Sequence, residues 1–244
     1  MKMINRRIAL GMMAAIPAFI YGCSGSNAGK KDEEELGGKL SKVFMTKEIT
    51  PAGLLAVYKA LGREATGKVA VKVSTGEPGG RNFLSPTLVK DFVQSMNGTI
   101  VECNTAYGGS RSDTASHLEA AKEHGWTAIA DIDILDTDGE ISLPIKTGKH
   151  IKEDIVGSHF RNYDFFVILS HFKGHTMGGF GGAIKNMSIG FASSGGKAWI
   201  HSAGENKISP VTDWGSIPNN PFLESMAEAA KAIADDCGEK ILYI

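Results

Sequence analysis

The sequence predicts an α/β fold, a mostly parallel sheet with flanking helices and room for two abutting Rossmann-like halves. Three observations carry this expectation. From residue 40 onward, apolar runs of strand length alternate with segments of helical period. One run, Asp164-Phe-Phe-Val-Ile-Leu169, is apolar without alternation after its first residue, as a strand buried on both faces must be. Gly-rich loops follow Val73, Cys103 and Ser170, the strand ends where open parallel sheets hold their ligands.

The elements follow in order. Thr50-Pro51 places an N-cap before a proline at the first helical position and opens a helix over 52–61, which Gly62 stops. Residues 68–73 alternate as a strand, and Gly76, Pro78, Gly79 and Gly80 form a loop at its end. Ser85-Pro86 opens a second helix through Val89, Phe92, Val93 and Met96. Residues 99–103 make a short strand, 113–124 a third helix, and 126–134 a strand ending in Asp131 and Asp133. Residues 141–145 read as a further strand, and a boundary between halves is expected near 136–148. Asn220-Pro221 starts a helix that runs to about Gly238, and 240–244 is the last strand. An apolar end at Ile244 suggests a chain truncated at its C-terminus.

Ahead of this domain, residues 1–22 read as an export signal and 23–39 as a tether, leaving 40–244 as the α/β domain. Lys2, Arg6 and Arg7 precede an apolar stretch too short to span a bilayer. Ile20-Tyr21-Gly22-Cys23 resembles a lipoprotein cleavage box, which would make Cys23 the lipidation site. Asn5-Arg6-Arg7 also resembles a loose twin-arginine signal. The tether carries Asp32-Glu33-Glu34-Glu35 and Gly37-Gly38, with little to bury. The expected location is the bacterial cell envelope, lipid-anchored, periplasmic or extracytoplasmic, with membrane contact through the anchor only.

Composition narrows the partners. There are 26 basic and 27 acidic residues, a net charge of −1, which gives no electrostatic case for nucleic acid. Cys23, Cys103 and Cys237 are the three cysteines and match no metal-ligand spacing. Glycine is abundant, 30 residues of 244, and much of it lies beside candidate site residues.

The densest chemistry follows the strongest strand. Between Ser170 and Asn186 lie His171, Lys173, His175, Gly179, Gly181, Gly182 and Lys185; His201 follows after a second Gly-rich turn. Glycine lets backbone approach a ligand, imidazole carries protons or binds metal, and a desolvated lysine can act as an amine. Lys173, Gly179, Gly181 and Gly182 are the candidate ligand contacts. Arg81 and Arg111, each just past a Gly-rich turn, could grip a ligand carboxylate in two-pronged fashion. The phosphate-loop and dinucleotide fingerprints are absent. Asp131, Asp133, Asp136, Asp138 and Glu140 lack the spacing of a calcium loop and read as solvated.

The motifs Ser170-His-Phe-Lys-Gly-His175, Gly179-Phe-Gly-Gly-Ala-Ile-Lys-Asn186 and Gly108-Gly-Ser-Arg-Ser-Asp-Thr114 resemble the domain of unknown function 362 family, over about residues 40–244. Members of that family are often labelled iron–sulfur centre proteins, so the resemblance implies a redox role and a redox partner. The cluster-binding cysteines would have to come from a missing C-terminal domain or another chain. His175-x3-Gly-Phe-Gly-Gly-Ala-x-Lys185, with His201 sixteen residues on, is also similar to a stretch of the nickel-pincer lactate racemase family. That resemblance implies His175 as an acid/base group, Lys185 as the covalent attachment and His201 as a metal ligand; apart from it, His171 is a further candidate metal ligand by residue type and position. His117 could supply a second base. Phe-Gly-Gly-Ala replaces Tyr-Ser-Gly-Gly, and Asn186-Met-Ser-Ile-Gly190 replaces an expected Pro-Gly. A shared pincer cofactor is therefore not expected, and the cofactor stays unassigned. The rival reading is a non-catalytic lipoprotein that binds an anionic small molecule in the same pocket.

Overall fold

The computed structural model describes residues 41–211, 213 and 219–244. The signal, the tether and Cys23 lie outside these residues. The chain divides into two compact units, with the division between Arg63 and Glu64. In the first, helix α1 (Pro51–Ala60) starts as its sequence demands. The Thr50 hydroxyl accepts a hydrogen bond from Gly53 N at 3.0 Å, and Pro51 needs no partner for the amide proton it lacks.

The second unit is built on a five-stranded sheet of order β3-β2-β1-β6-β9, parallel throughout. Its strands are β1 (Val69–Lys72), β2 (Thr99–Glu102), β3 (Ile132–Ile134), β6 (Phe165–Ile168) and β9 (Ile241–Tyr243). Every residue of β1 and β6 is buried, which accounts for the non-alternating run in the sequence. Helices α2 (Pro86–Ser95), α3 (Thr114–Glu123) and α6 (Asn219–Cys237) bury one stripe each. In α2 the stripe is Val89, Phe92 and Val93, at the spacing one helix face requires. In α6 it includes Phe222, Met226, Ala229, Ala230 and Ile233, which join the main core with Phe160, Phe166 and Phe191.

Three expectations change. Of the strand expected over 126–134, only Ile132–Ile134 pairs. Trp126–Ala128 is a 3-10 turn, because the buried Trp126 indole donates to Thr75 O at 3.0 Å. Residues 136–148 open no second half. They lead into the antiparallel pair β4 (Glu140–Pro144) and β5 (Glu153–Gly157), after which the chain returns to the same sheet as β6. The stretch after Ser170, expected as a Gly-rich loop, is not a plain loop. It folds as a hairpin, β7 (Lys173–His175) with β8 (Gly179–Gly181), then α4 (Ala183–Phe191) and α5 (Ser194–His201).

Candidate functional site

From β1 the chain steps to β2 on one side, while β6 pairs with β1 on the other. Such a switch point leaves a crevice at the C-terminal strand ends. A cavity of about 480 Å³ opens there, lined from the loops after β1 and β2, from His171 after β6, and from the hairpin, α4 and α5.

The β1–β2 side is a buried ion network. Lys72, 1% exposed at the end of β1, sends its Nζ to Asn186 Oδ1 at 3.1 Å and lies 3.7 Å from Glu102 Oε1. Gly190 of α4 makes room for it, since a Cβ there would fall 2.2 Å from Lys72 Cε. Burial lowers the Lys72 pKa to about 8, although Glu102 pulls it upward. Glu102 accepts from Thr75 N at 2.9 Å, from the Thr75 hydroxyl, and from Arg111 Nη1 at 3.4 Å, with His117 Nε2 at 3.3 Å. Burial pushes its pKa up, but the charges of Lys72 and Arg111 outweigh this and hold the carboxyl well below the usual range. Arg111 Nε also donates to Glu77 Oε1 at 3.0 Å, and Glu77 further accepts from the Tyr107 hydroxyl.

The opposite side comes from the hairpin, α4 and α5. Lys173 and His175 share one face of β7, across from Gly181 and Gly179. His175 Nδ1 accepts from Gly178 N at 3.0 Å, so the ring proton sits on Nε2, a donor. Burial, with the Lys185 and Lys173 charges, pushes His175 down to about 4. Lys185, on the first turn of α4, is brought to about 8 by burial and by the nearby Lys173, Lys72 and Lys197. His201 ends α5 with its Nδ1 donating to Lys197 O at 2.7 Å and its ring stacked on Phe222, which makes Nε2 the basic nitrogen. Burial pushes it to about 4. Lys197 Nζ donates to Ala192 O at 2.5 Å. Asn186 ties the two sides together, its amide donating to Lys72 O at 3.0 Å and Leu169 O at 3.1 Å.

Of the residues singled out in the sequence, His171, Lys173, His175, Gly181, Gly182, Lys185, His201 and Arg111 all line this cavity. Gly179 does not; it serves the hairpin turn at φ 72°. Arg81 is exposed and outside the lining. Arg111 cannot offer a ligand the whole fork expected of it, because Glu77 and Glu102 occupy it. His117 is fully buried behind Glu102 and does not reach the cavity, so it is no second base. The acidic cluster is not simply solvated. Asp133 and Asp138 hold His159 at 2.7 and 2.8 Å, Asp136 accepts from Asn104 N and Ser194 N, and Glu140 accepts from Ser193 Oγ. Sequence reading missed Lys72, Glu102, Asn186 and Lys197. Its available signal was a charge, Lys72 or Glu102, inside a strand that must be buried.

The donors do not assemble a metal centre by themselves. Among the described residues, no three His, Cys, Asp or Glu side chains converge to hold an ion. Cys103 and Cys237 are buried thiols outside any disulfide, and burial pushes both up to about 12. Neither is poised as a thiolate ligand.

Residues 69–242 match the model of a family described as domain of unknown function 362. The chain belongs to that family. No curated protein matches this family member's sequence. Similar solved structures include the following two. The lactate racemase apoprotein from Thermoanaerobacterium thermosaccharolyticum shares 18% identity, with 72% of this chain and 42% of that one covered and a TM-score of 0.47. A Thermotoga maritima protein shares 14% identity over 82% of this chain and 50% of its own, also with a TM-score of 0.47. The chain thus spans half or less of each.

Proposed function

We propose that this member of the 362 family is an exported, lipid-anchored protein whose α/β domain binds a small anionic molecule in the cavity beyond β1, β2 and β6. One observation carries the binding reading. Among the described residues, Lys72, Arg111, Lys173, Lys185 and Lys197 line the cavity against two carboxylates, Glu77 and Glu102. Lys72, Arg111 and Lys197 are buried and Lys185 partly buried, while Lys173 is exposed; the excess of positive charge in the buried part is costly unless an anion offsets it. The neutral His175 adds an Nε2–H donor that can hydrogen-bond to the anion. Lys185, brought to about 8, is part neutral amine at pH 7. A redox role draws no support from the described cysteines, and the anchor reading rests on the sequence around Cys23.

The test is thermal stabilisation by a panel of small carboxylates, hydroxy acids and phosphate, with matched neutral analogues as controls. Anions raise Tm at millimolar concentration or below, the neutral analogues do not, and the gain shrinks between pH 7 and pH 9 as Lys185 and Lys72 lose protons. No stabilisation by any anion at 10 mM (about 10 times a millimolar Kd) would sink the reading.

A further inference from the structure

The β7–β8 hairpin has two chemically different faces. Lys173 and His175 line the cavity. By strand alternation Phe172, Gly174 and its cross-strand partner Phe180 take the other face. The two phenyl rings lie 5.4 Å apart, and both are largely exposed, at 66% and 57%. Ile184, in the first turn of α4, is 53% exposed. Gly182 lies beneath the rings; a Cβ there would sit 3.5 Å from each. A single exposed apolar side chain needs no explanation, but a paired aromatic cluster on an exposed hairpin face does.

Building on the lipid anchor proposed above, we infer that Phe172, Phe180 and Ile184 form a shallow insertion patch that seats the domain on the lipid surface to which Cys23 anchors it. Lipid is favoured by the length of chain between anchor and body. Residues 24–63, between Cys23 and the unit that carries the patch, span at most about 140 Å when fully extended. The body is therefore held within reach of the surface, where a patch too weak to bind alone gains from high effective concentration. The patch is chemically suited to the task. Its side chains carry no polar atom to strand in acyl chains, and because β7 and β8 pair only along their shared edge, the rings dip in while the outer strand edges stay at the hydrated headgroup level. Because Lys173 and His175 occupy the opposite face of the same strands, seating the rings leaves the cavity face turned from the lipid.

The experiment uses the lipidated protein in phosphatidylethanolamine–phosphatidylglycerol vesicles, with Phe180→Trp as the reporter. Emission from the introduced indole shifts to the blue, and lipids brominated along the acyl chain quench it at least twofold more than the wild-type tryptophans. Adding Phe172→Ala and Ile184→Ala halves that quenching without lowering Tm. Intact mass is read on the same sample. An unacylated Cys23 removes the anchor reading and this inference with it. An acylated Cys23 with an unquenched reporter indole removes the patch alone, and leaves anchor and cavity readings standing. Concentration-dependent dimers abolished by Phe172→Ala would give the patch to a second copy and equally overturn the lipid assignment.

Discussion

The two sides of the cavity hold similar cations under opposite conditions. On the β1–β2 side, Lys72 and Arg111 are matched by Glu102 and Glu77 within hydrogen-bonding or ion-pair distance. On the hairpin–helix side, Lys173, Lys185 and Lys197 line the cavity, and among the described residues no carboxylate joins the lining on that side. A compensated network in burial holds shape, because each charge is tolerated only while its partners stay in place. An uncompensated set stores a demand for an anion. The difference therefore separates a wall that builds the site from a wall that reads the ligand.

The largest expected effect lies on the compensated side. Glu102→Ala leaves Lys72 and Arg111 buried without their shared carboxylate and strips Thr75 of its acceptor. It should cost about 3–5 kcal/mol by urea denaturation at pH 7. Glu102 also carries a pH signature. Its folded pKa lies below the ordinary 4.5, so its stabilisation is present above that value and fades as pH falls toward the folded pKa. The variant should lose that part of the acid slope. A loss under about 1 kcal/mol would show that the network does not hold the wall.

A carboxylate whose burial outweighs its polar surroundings should behave in the opposite way. Asp154 of β5 is fully buried, and among the described residues neither of its side-chain oxygens meets a hydrogen-bond partner in good geometry. Burial pushes its pKa from 3.8 up to about 8. Between those values the folded state holds a proton that the unfolded state has released. Stability is therefore greatest below the lower value and falls as pH rises through the window. Asp154→Asn should remove that slope and stabilise at pH 8 by roughly 1–3 kcal/mol. Equal wild-type stability at pH 5 and pH 8, once Asp154→Asn is subtracted, would place a hidden partner beside this carboxyl.

On the uncompensated side, stability and binding should part company. Lys185→Met removes a cation that its surroundings disfavour. Stability at pH 7 should hold or rise by about 1 kcal/mol, while affinity for the best anion of the panel drops about tenfold, or ~1.4 kcal/mol. The wild-type Lys185 pKa is lowered from 10.5 to about 8. The unfolded chain thus binds more protons across that range, and stability rises from pH 8 toward 10.5 as anion affinity declines. A Lys185→Met protein destabilised by more than about 1 kcal/mol, with binding intact, would move Lys185 to the structural wall.

Strand alternation, proline and cap positions made most of the sheet and helices legible. Thr50-Pro51, Ser85-Pro86 and the Phe165–Ile168 run show where local signals agree with tertiary demand. Glycine hid the rest. Between Gly174 and Gly196 it masks both the hairpin and the starts of α4 and α5, because glycine lowers propensity for strand and helix alike. The candidate site was half legible for the same reason. His175, Lys185 and His201 stand out by type and spacing, whereas Lys72 and Glu102 matter only because the fold buries them beside each other. Asn186 was visible as part of a motif, but its role in tying β1 to β6 depends on a contact 114 residues away.

The smallest expected effect distinguishes two arginines that the sequence treats alike. Both follow Gly-rich strand-end turns. Arg111 is buried in the network, while Arg81 is exposed between Gly80 and Asn82, which do line the cavity. Arg81→Ala should change stability by less than about 0.5 kcal/mol and anion affinity by less than about twofold, since a solvated charge at the mouth acts mainly on encounter and is screened by salt. Measured at low and high ionic strength, the small loss should vanish in salt. A salt-independent tenfold loss would mean that the loop after β1 turns Arg81 inward on binding. The division into a building wall and a reading wall would then hold only before the anion binds.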